Sequence, residues 1–126
     1  MKITGDSLAE LRERVRAFAA ARDWGPFHTP KNLSMALAVE AAELMEHFEW
    51  LSPAQSAALR AREKRAVAEE IADVLIYLVR LADVLGVDPL AAASAKLRAN
   101  ARRYPVSRAK SSAAKRPRRA VRRDRL

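Results

Sequence analysis

The sequence predicts an all-α fold: one small helical bundle over residues 1–105, followed by a disordered basic tail over 106–126. Apolar residues recur at spacings of three and four, the helical period, and strand-like alternation is absent. Glycine is scarce, with three in the chain. The 126 residues suffice for one domain.

The first helix is expected from about Ser7 to Asp23. Ser7 and Glu10 have capping-box spacing, and Leu8, Leu11, Val15 and Phe18 supply an apolar stripe. Trp24 to Pro30 reads as a loop punctuated by Gly25, Pro26 and Pro30. The second helix is expected from about Lys31 to Leu51. Ser52-Pro53 opens a short third one, with Ser as cap and Pro in the first turn. The fourth runs from about Arg62 to Leu85 and stops at Gly86, and its apolar face is Val67, Ile71, Val74, Leu75, Leu78 and Leu85. Asp88-Pro89 opens the fifth, which ends before Pro105.

The net charge of +9 is unevenly placed. Residues 1–105 hold 15 Lys/Arg and 14 Asp/Glu, whereas 106–126 hold nine Lys/Arg and one acid. The tail has almost no large apolar residue, so it cannot bury enough surface to offset the entropy of ordering. Its charge fits weak, sequence-blind, salt-sensitive attraction to nucleic acid. A nucleic-acid-binding or interaction protein acting through this tail is therefore the alternative to an enzyme. Cysteine is absent, which excludes disulfides, thiolate-bound zinc and Cys nucleophiles. No apolar run approaches the roughly 18 residues of a membrane span, and no secretory h-region opens the chain. The expectation is a soluble, cytoplasmic protein with no membrane partner.

The chemistry concentrates in acidic pairs on two helices. On a wheel of about 100° per residue, Leu33, Leu37, Leu44, Phe48 and Leu51 cluster within about 60°, and Glu40 falls at their edge. Glu43 lies about 60° further round, whereas Glu49 ends nearly opposite Glu40 and reads as a solvated charge. In the fourth helix, Glu70, Asp73 and Tyr77 flank the apolar face, and Glu69 points elsewhere. If the two apolar faces pack together, Glu40, Glu43, Glu70 and Asp73 converge. Four like charges in a partly dry cleft require protonation or a cation. Oxygen-only ligands favour a hard ion, Mg²⁺ or Mn²⁺. The plainer reading is two surface pairs in ordinary helix salt bridges, and spacing alone does not choose between them.

Other chemistries lack their residues. A di-iron carboxylate bundle needs Glu-x-x-His on two helices, but His47 follows Leu44 at three and His28 lies in a loop. No Ser sits in a His-partnered context, and there is no Gly-rich phosphate loop. Lys96, Asn100 and Arg103 share one side of the fifth helix, either as a solvated basic face or as a triphosphate clamp. Trp24, His28, Trp50 and Tyr77 can stack on or bond to a base, although any one of them alone fits ordinary packing.

Two segments carry a family resemblance. They are Phe27-His28-Thr29-Pro30-Lys31-Asn32-Leu33 with Glu40-Ala-Ala-Glu43-Leu-Met-Glu46-His47-Phe48-Glu49-Trp50, and Glu69-Glu70-Ile-Ala-Asp73-Val-Leu-Ile-Tyr77-Leu with Lys96 and Asn100-Ala-Arg-Arg103-Tyr104-Pro105. The chain resembles the MazG-like nucleotide pyrophosphohydrolases over most of residues 8–105, within them the dCTP pyrophosphatase branch. The resemblance implies a helical bundle completed by oligomerisation, as a dimer or tetramer. It implies hydrolysis of a (deoxy)nucleoside triphosphate to the monophosphate and pyrophosphate, as nucleotide-pool housekeeping. It implies Mg²⁺ on Glu40, Glu43, Glu70 and Asp73, with Lys96 and Asn100 approaching the triphosphate. Trp24, His28, Trp50 and Tyr77 match pocket residues, Lys31 stands where relatives often carry Arg, and Arg103 joins the substrate-binding set. Glu43 and Glu40 are the candidate catalytic carboxylates, Glu43 being the general base. Val15-Arg16 stands where some cytosine-preferring relatives carry a His, which leaves base preference open.

Overall fold

Ser7 opens the first helix as expected: its hydroxyl accepts from the Glu10 amide at 3.1 Å. The computed structural model describes residues 7–109. Helix α1 spans Leu8–Ala20. It closes in a Schellman motif, with Trp24 N–H donating to Ala19 C=O at 3.0 Å and Asp23 N–H to Ala20 C=O at 3.2 Å. The residue at the left-handed position is Asp23, at φ 52°. Asp tolerates that region better than most side chains. The apolar contact usual for this motif is made by Trp24, whose ring meets Phe18 edge-on at 5.7 Å between centroids.

A 3₁₀ turn, Gly25–Phe27, leads to α2, Pro30–Glu46. Thr29 caps it by accepting from the Asn32 amide, and Pro30 fills the first position, where its missing N–H costs nothing. The expected extension to Leu51 is not made. Phe48 N–H bonds Met45 C=O and Leu51 N–H bonds Phe48 C=O, so the chain tightens into turns ahead of Pro53. Wheel positions assigned to Phe48, Glu49, Trp50 and Leu51 therefore do not apply. Helix α3, Pro53–Ser56, carries both halves of a capping box between Ser52 and Gln55.

Helix α4, Ala61–Val84, is the longest. It ends in a second Schellman motif, with Gly86 at φ 68° and Val87 N–H donating to Ala82 C=O at 2.8 Å. Asp88 accepts from Leu90 and Ala91 amides and so caps α5, Pro89–Arg103. Helix α6, Val106–Ala109, follows. The expected tail thus begins with a short helix, and 110–126 lie outside the described residues.

The expected single body to residue 105 divides into two compact units, the first running to Ala92 and the second starting at Ala93. No described residue of α5 is buried. In the first unit α4 packs on α2 and on α1. Its interior is thin: Ala19, Leu33, Val67, Val79 and Ala82 are buried, and Leu33 is the largest side chain fully removed from solvent. On α4 the buried residues are Val67, Val79 and Ala82. Of its expected apolar face Val67 is buried, whereas Ile71, Leu75, Leu78 and Leu85 stay exposed. Phe18, expected in the buried stripe of α1, is half exposed beneath the Arg22 guanidinium.

Candidate metal centre

Glu40 and Glu43 lie three residues apart on α2, and Glu70 is on the stretch of α4 packed against it. One carboxylate oxygen from each comes within 4.8 Å of the other two. Glu40 Oε2 and Glu70 Oε2 are both removed from solvent and have no hydrogen-bond partner among the described residues. Buried polar atoms are nearly always satisfied, so an orphaned oxygen on each of two converging carboxylates is the unusual feature of this fold. The Glu40 carboxyl is pushed up to about 7, by burial first, then by the hydrogen bond and charge of Glu43 and the charges of Asp73 and Glu70.

The convergence expected for four carboxylates is drawn by three. Asp73 is exposed on α4 and outside the close trio, although its charge reaches Glu40. Its side chain is one methylene shorter than a glutamate's. Glu69 is exposed on α4, as the wheel expects, and Glu49 is exposed in the turn after α2. His47, in the turn after α2, brings Nε2 to 3.9 Å from Glu70 Oε1. It also lines a cavity of about 560 Å³ shared with Leu51, Leu59, Arg60, Arg62 and Val67. That cavity was not legible in the sequence, because its walls come from two stretches, 47–51 and 59–67, that only the fold brings together.

The donor set is oxygen-only and hard, which suits Mg²⁺ or Mn²⁺ better than zinc. An added cation would satisfy both orphaned oxygens and remove the repulsion within the trio. The residues present therefore fit a divalent metal.

The aromatic candidates divide. Trp24 is partly exposed, and its ring lies edge-on to His28 at 6.0 Å. Tyr77 is half-buried on α4. Trp50 is 87% exposed in the turn beyond α2, with little around it among the described residues. Lys31 is exposed at the start of α2. Lys96, Asn100 and Arg103 belong to the second unit, where they follow one side of α5, Lys96 exposed and the others half-buried.

A second charged cluster has no counterpart in the sequence reading. Asp83, in the last turn of α4, is gripped by Arg16 of α1 through both carboxylate oxygens, with Arg16 Nε donating at 3.0 Å. Arg80 Nη1 donates to the same carboxylate at 3.3 Å, and Arg80 Nε donates to His28 Nδ1 at 3.0 Å. The Arg16 hydrogen bond holds the Asp83 carboxyl below its ordinary value. The available signal was an acid at a helix C-terminus, where the dipole disfavours it unless cations attend.

A sequence model of the MazG-like family matches residues 35–116. dCTP pyrophosphatase 1 of Rattus norvegicus is 44% identical over 111 residues, covering 86% of this chain and 65% of the rat protein. The Homo sapiens protein of that name is 43% identical, with 86% of this chain and 65% of the human one covered. The chain thus spans just under two thirds of the length of these relatives. A solved pyrophosphatase from Archaeoglobus fulgidus superposes with a TM-score of 0.75 at 40% identity, over 83% of this chain and 98% of that one.

Proposed function

The chain belongs to the MazG-like family, and from that premise we propose that it hydrolyses a (deoxy)nucleoside triphosphate to the monophosphate and pyrophosphate, with Mg²⁺ or Mn²⁺ as cofactor. The observation that carries this reading is the pair of orphaned, solvent-free oxygens of Glu40 and Glu70 within a converging carboxylate trio. The relatives named as pyrophosphatases supply the reaction class.

Glu40, Glu43 and Glu70 would hold the ion, with Asp73 as the outer fourth carboxylate. When bound, such an ion supplies positive charge against the charge developing on the phosphate oxygens. Glu40 and Glu70, each with an oxygen out of solvent, are the groups committed to that task. Glu43 is the exposed member of the trio and so can take the proton of the attacking water. Water adds to phosphorus as the bridging oxygen leaves with pyrophosphate. Trp24, His28 and Tyr77 are assigned to the nucleotide. Lys31, Trp50, Lys96, Asn100 and Arg103 belong to this reading through the family resemblance rather than through geometry.

The uncovered Ile71, Leu75 and Leu78 of α4, with Met35 and Val39 of α2, support a homo-oligomer. No described helix is long and apolar enough to cross a membrane. A nucleotide-pool role would put enzyme and substrate together in the cytoplasm.

The test is product analysis on a panel of ribo- and deoxynucleoside triphosphates, with Mg²⁺ and with a chelator. Equimolar pyrophosphate and monophosphate, abolished by the chelator, is the expected outcome. Release of orthophosphate, or turnover indifferent to chelation, would refute the reading.

A further inference from the structure

We propose that Arg80 is a positioning residue that holds His28 as an Nε2–H hydrogen-bond donor, braced from behind by Asp83 and Arg16. The inference rests on the reading above that His28 meets the nucleotide.

The argument starts from the donor inventory. A guanidinium is always charged and can only donate. Arg80 Nε donates to His28 Nδ1 at 3.0 Å, so Nδ1 must present its lone pair. A neutral imidazole with a bare Nδ1 carries its proton on Nε2. Both burial and the Arg80 charge hold His28 below its ordinary value, and both act against a second ring proton. The ring is then a neutral donor with one N–H to offer. Its ligand is a hydrogen-bond acceptor, such as a phosphate oxygen or a base carbonyl. It brings no positive charge of its own to that ligand.

Arg80 is itself fixed. Its side chain is 13% exposed, and Nη1 reaches Asp83 while Nε reaches His28. Asp83 is 9% exposed and is held as well by Arg16, which donates to both of its carboxylate oxygens. The chain of contacts therefore ties α1, α4 and the 3₁₀ turn before α2 into one arrangement. Trp24 contributes the remaining restraint, its ring edge-on to His28. A planar guanidinium spans two acceptors with separate nitrogens, which an ammonium cannot do in the same geometry.

The test uses the isotope-labelled full-length protein. Long-range proton–nitrogen correlation spectra of the wild type should show His28 protonated at Nε2 and bare at Nδ1, and a non-hydrolysable triphosphate should shift that Nε2–H. In Arg80→Met, with the fold checked by melting, His28 should become a mixture of tautomers. KM should then rise about tenfold, the scale of one hydrogen bond, with kcat within about threefold. Arg80→Lys should restore little, because its single nitrogen cannot reach His28 Nδ1 and the Asp83 carboxylate together as the separate guanidinium nitrogens do. An Nδ1–H tautomer in the wild type would overturn the proposal, as would full restoration by lysine or an unchanged KM in Arg80→Met. If wild type releases no pyrophosphate from any triphosphate, the proposed function fails instead. The tautomer spectra then still decide whether Arg80 holds His28.

Discussion

Glu70, in the middle of α4, and Asp83, in its last turn, are carboxylates on the same helix that meet different neighbours. Asp83 finds two guanidinium groups, and its carboxyl is held below the ordinary range. Glu70 faces Glu40 and Glu43, and an oxygen on Glu70 and another on Glu40 have no partner among the described residues. Across α2 the Glu40 carboxyl is driven the other way, to about 7. The contrast separates two uses of acidic residues. A carboxylate that holds a fold together is matched by cations from the chain itself. A cluster left unmatched stores repulsion that a ligand from outside can relieve.

The largest expected effect is on turnover. Glu70→Gln or Glu40→Gln should cost roughly 10²-fold or more in pyrophosphate release. Each should also raise the metal-free melting temperature, because one repelling charge is gone. A fall in melting temperature would mean that these acids are as well matched as Asp83, and the contrast would collapse.

Asp73→Asn should follow the same pattern more weakly in melting, since the side chain is exposed outside the trio. Its turnover should still drop steeply if it is the fourth ligand. Mg²⁺ should raise the melting temperature of wild type, by binding the folded state, and do much less for this variant. Near-normal pyrophosphate release from Asp73→Asn would reduce the site to three carboxylates.

For Asp83→Asn the stability sign reverses. It leaves Arg80 almost buried with half its partners, and the loss should be about 2 kcal/mol, the scale of hydrogen bonds to charged groups. Chemical denaturation of the variant beside wild type measures it. An unchanged midpoint would show the Arg16–Asp83–Arg80 cluster to be ornamental.

The two regions should also respond oppositely to pH. Glu40 has a raised folded-state value, so the folded protein binds more protons than the unfolded chain between about 4.5 and about 7. Metal-free stability should fall as pH rises through that window. Asp83 has a lowered value, so its contribution is present above its ordinary 3.8 and is lost as pH falls below it. Melting curves in chelator, wild type against Glu40→Gln and Asp83→Asn, isolate each arm as a difference. A slope of the same sign in both differences would break the comparison.

The smallest expected change comes from deleting residues 106–126. Turnover should stay within about twofold, because no catalytic candidate lies there, while low-salt retention on nucleic acid should be lost. The family match reaches residue 116, so a larger loss of turnover would assign the first part of this segment to the enzyme.

Much of this organisation is legible locally. Ser7, Ser52-Pro53, Gly86 and Asp88 mark helix ends because capping depends on nearby atoms alone. Glu40, Glu43 and Glu70 stand out because helical periodicity fixes which side of a helix a residue takes. Periodicity does not say which part of a broad apolar face gets covered. On α4 the chain covers Val79 and Ala82 and leaves Ile71 and Leu78 open. The pairing of Arg16 with Asp83 joins residues 67 positions apart, and no local rule anticipates it. The early end of α2 was hidden for another reason: the residues 47–51 have ordinary helical patterning, and no local residue marks a stop before Pro53.

Leu33 has a practical consequence for anyone redesigning this scaffold toward another nucleotide. It is the largest fully enclosed side chain among the described residues, and it sits two turns ahead of Glu40 on α2. Any trimming there loosens the helix that carries two of the three converging acids, at about 2–5 kcal/mol for truncation to alanine. Exposed positions on α1 and α5 outside the Arg16–Asp83 contact, by contrast, can be exchanged within about 0.5 kcal/mol. A library that spares this one leucine and randomises the outer faces would keep the chassis while sampling new specificities.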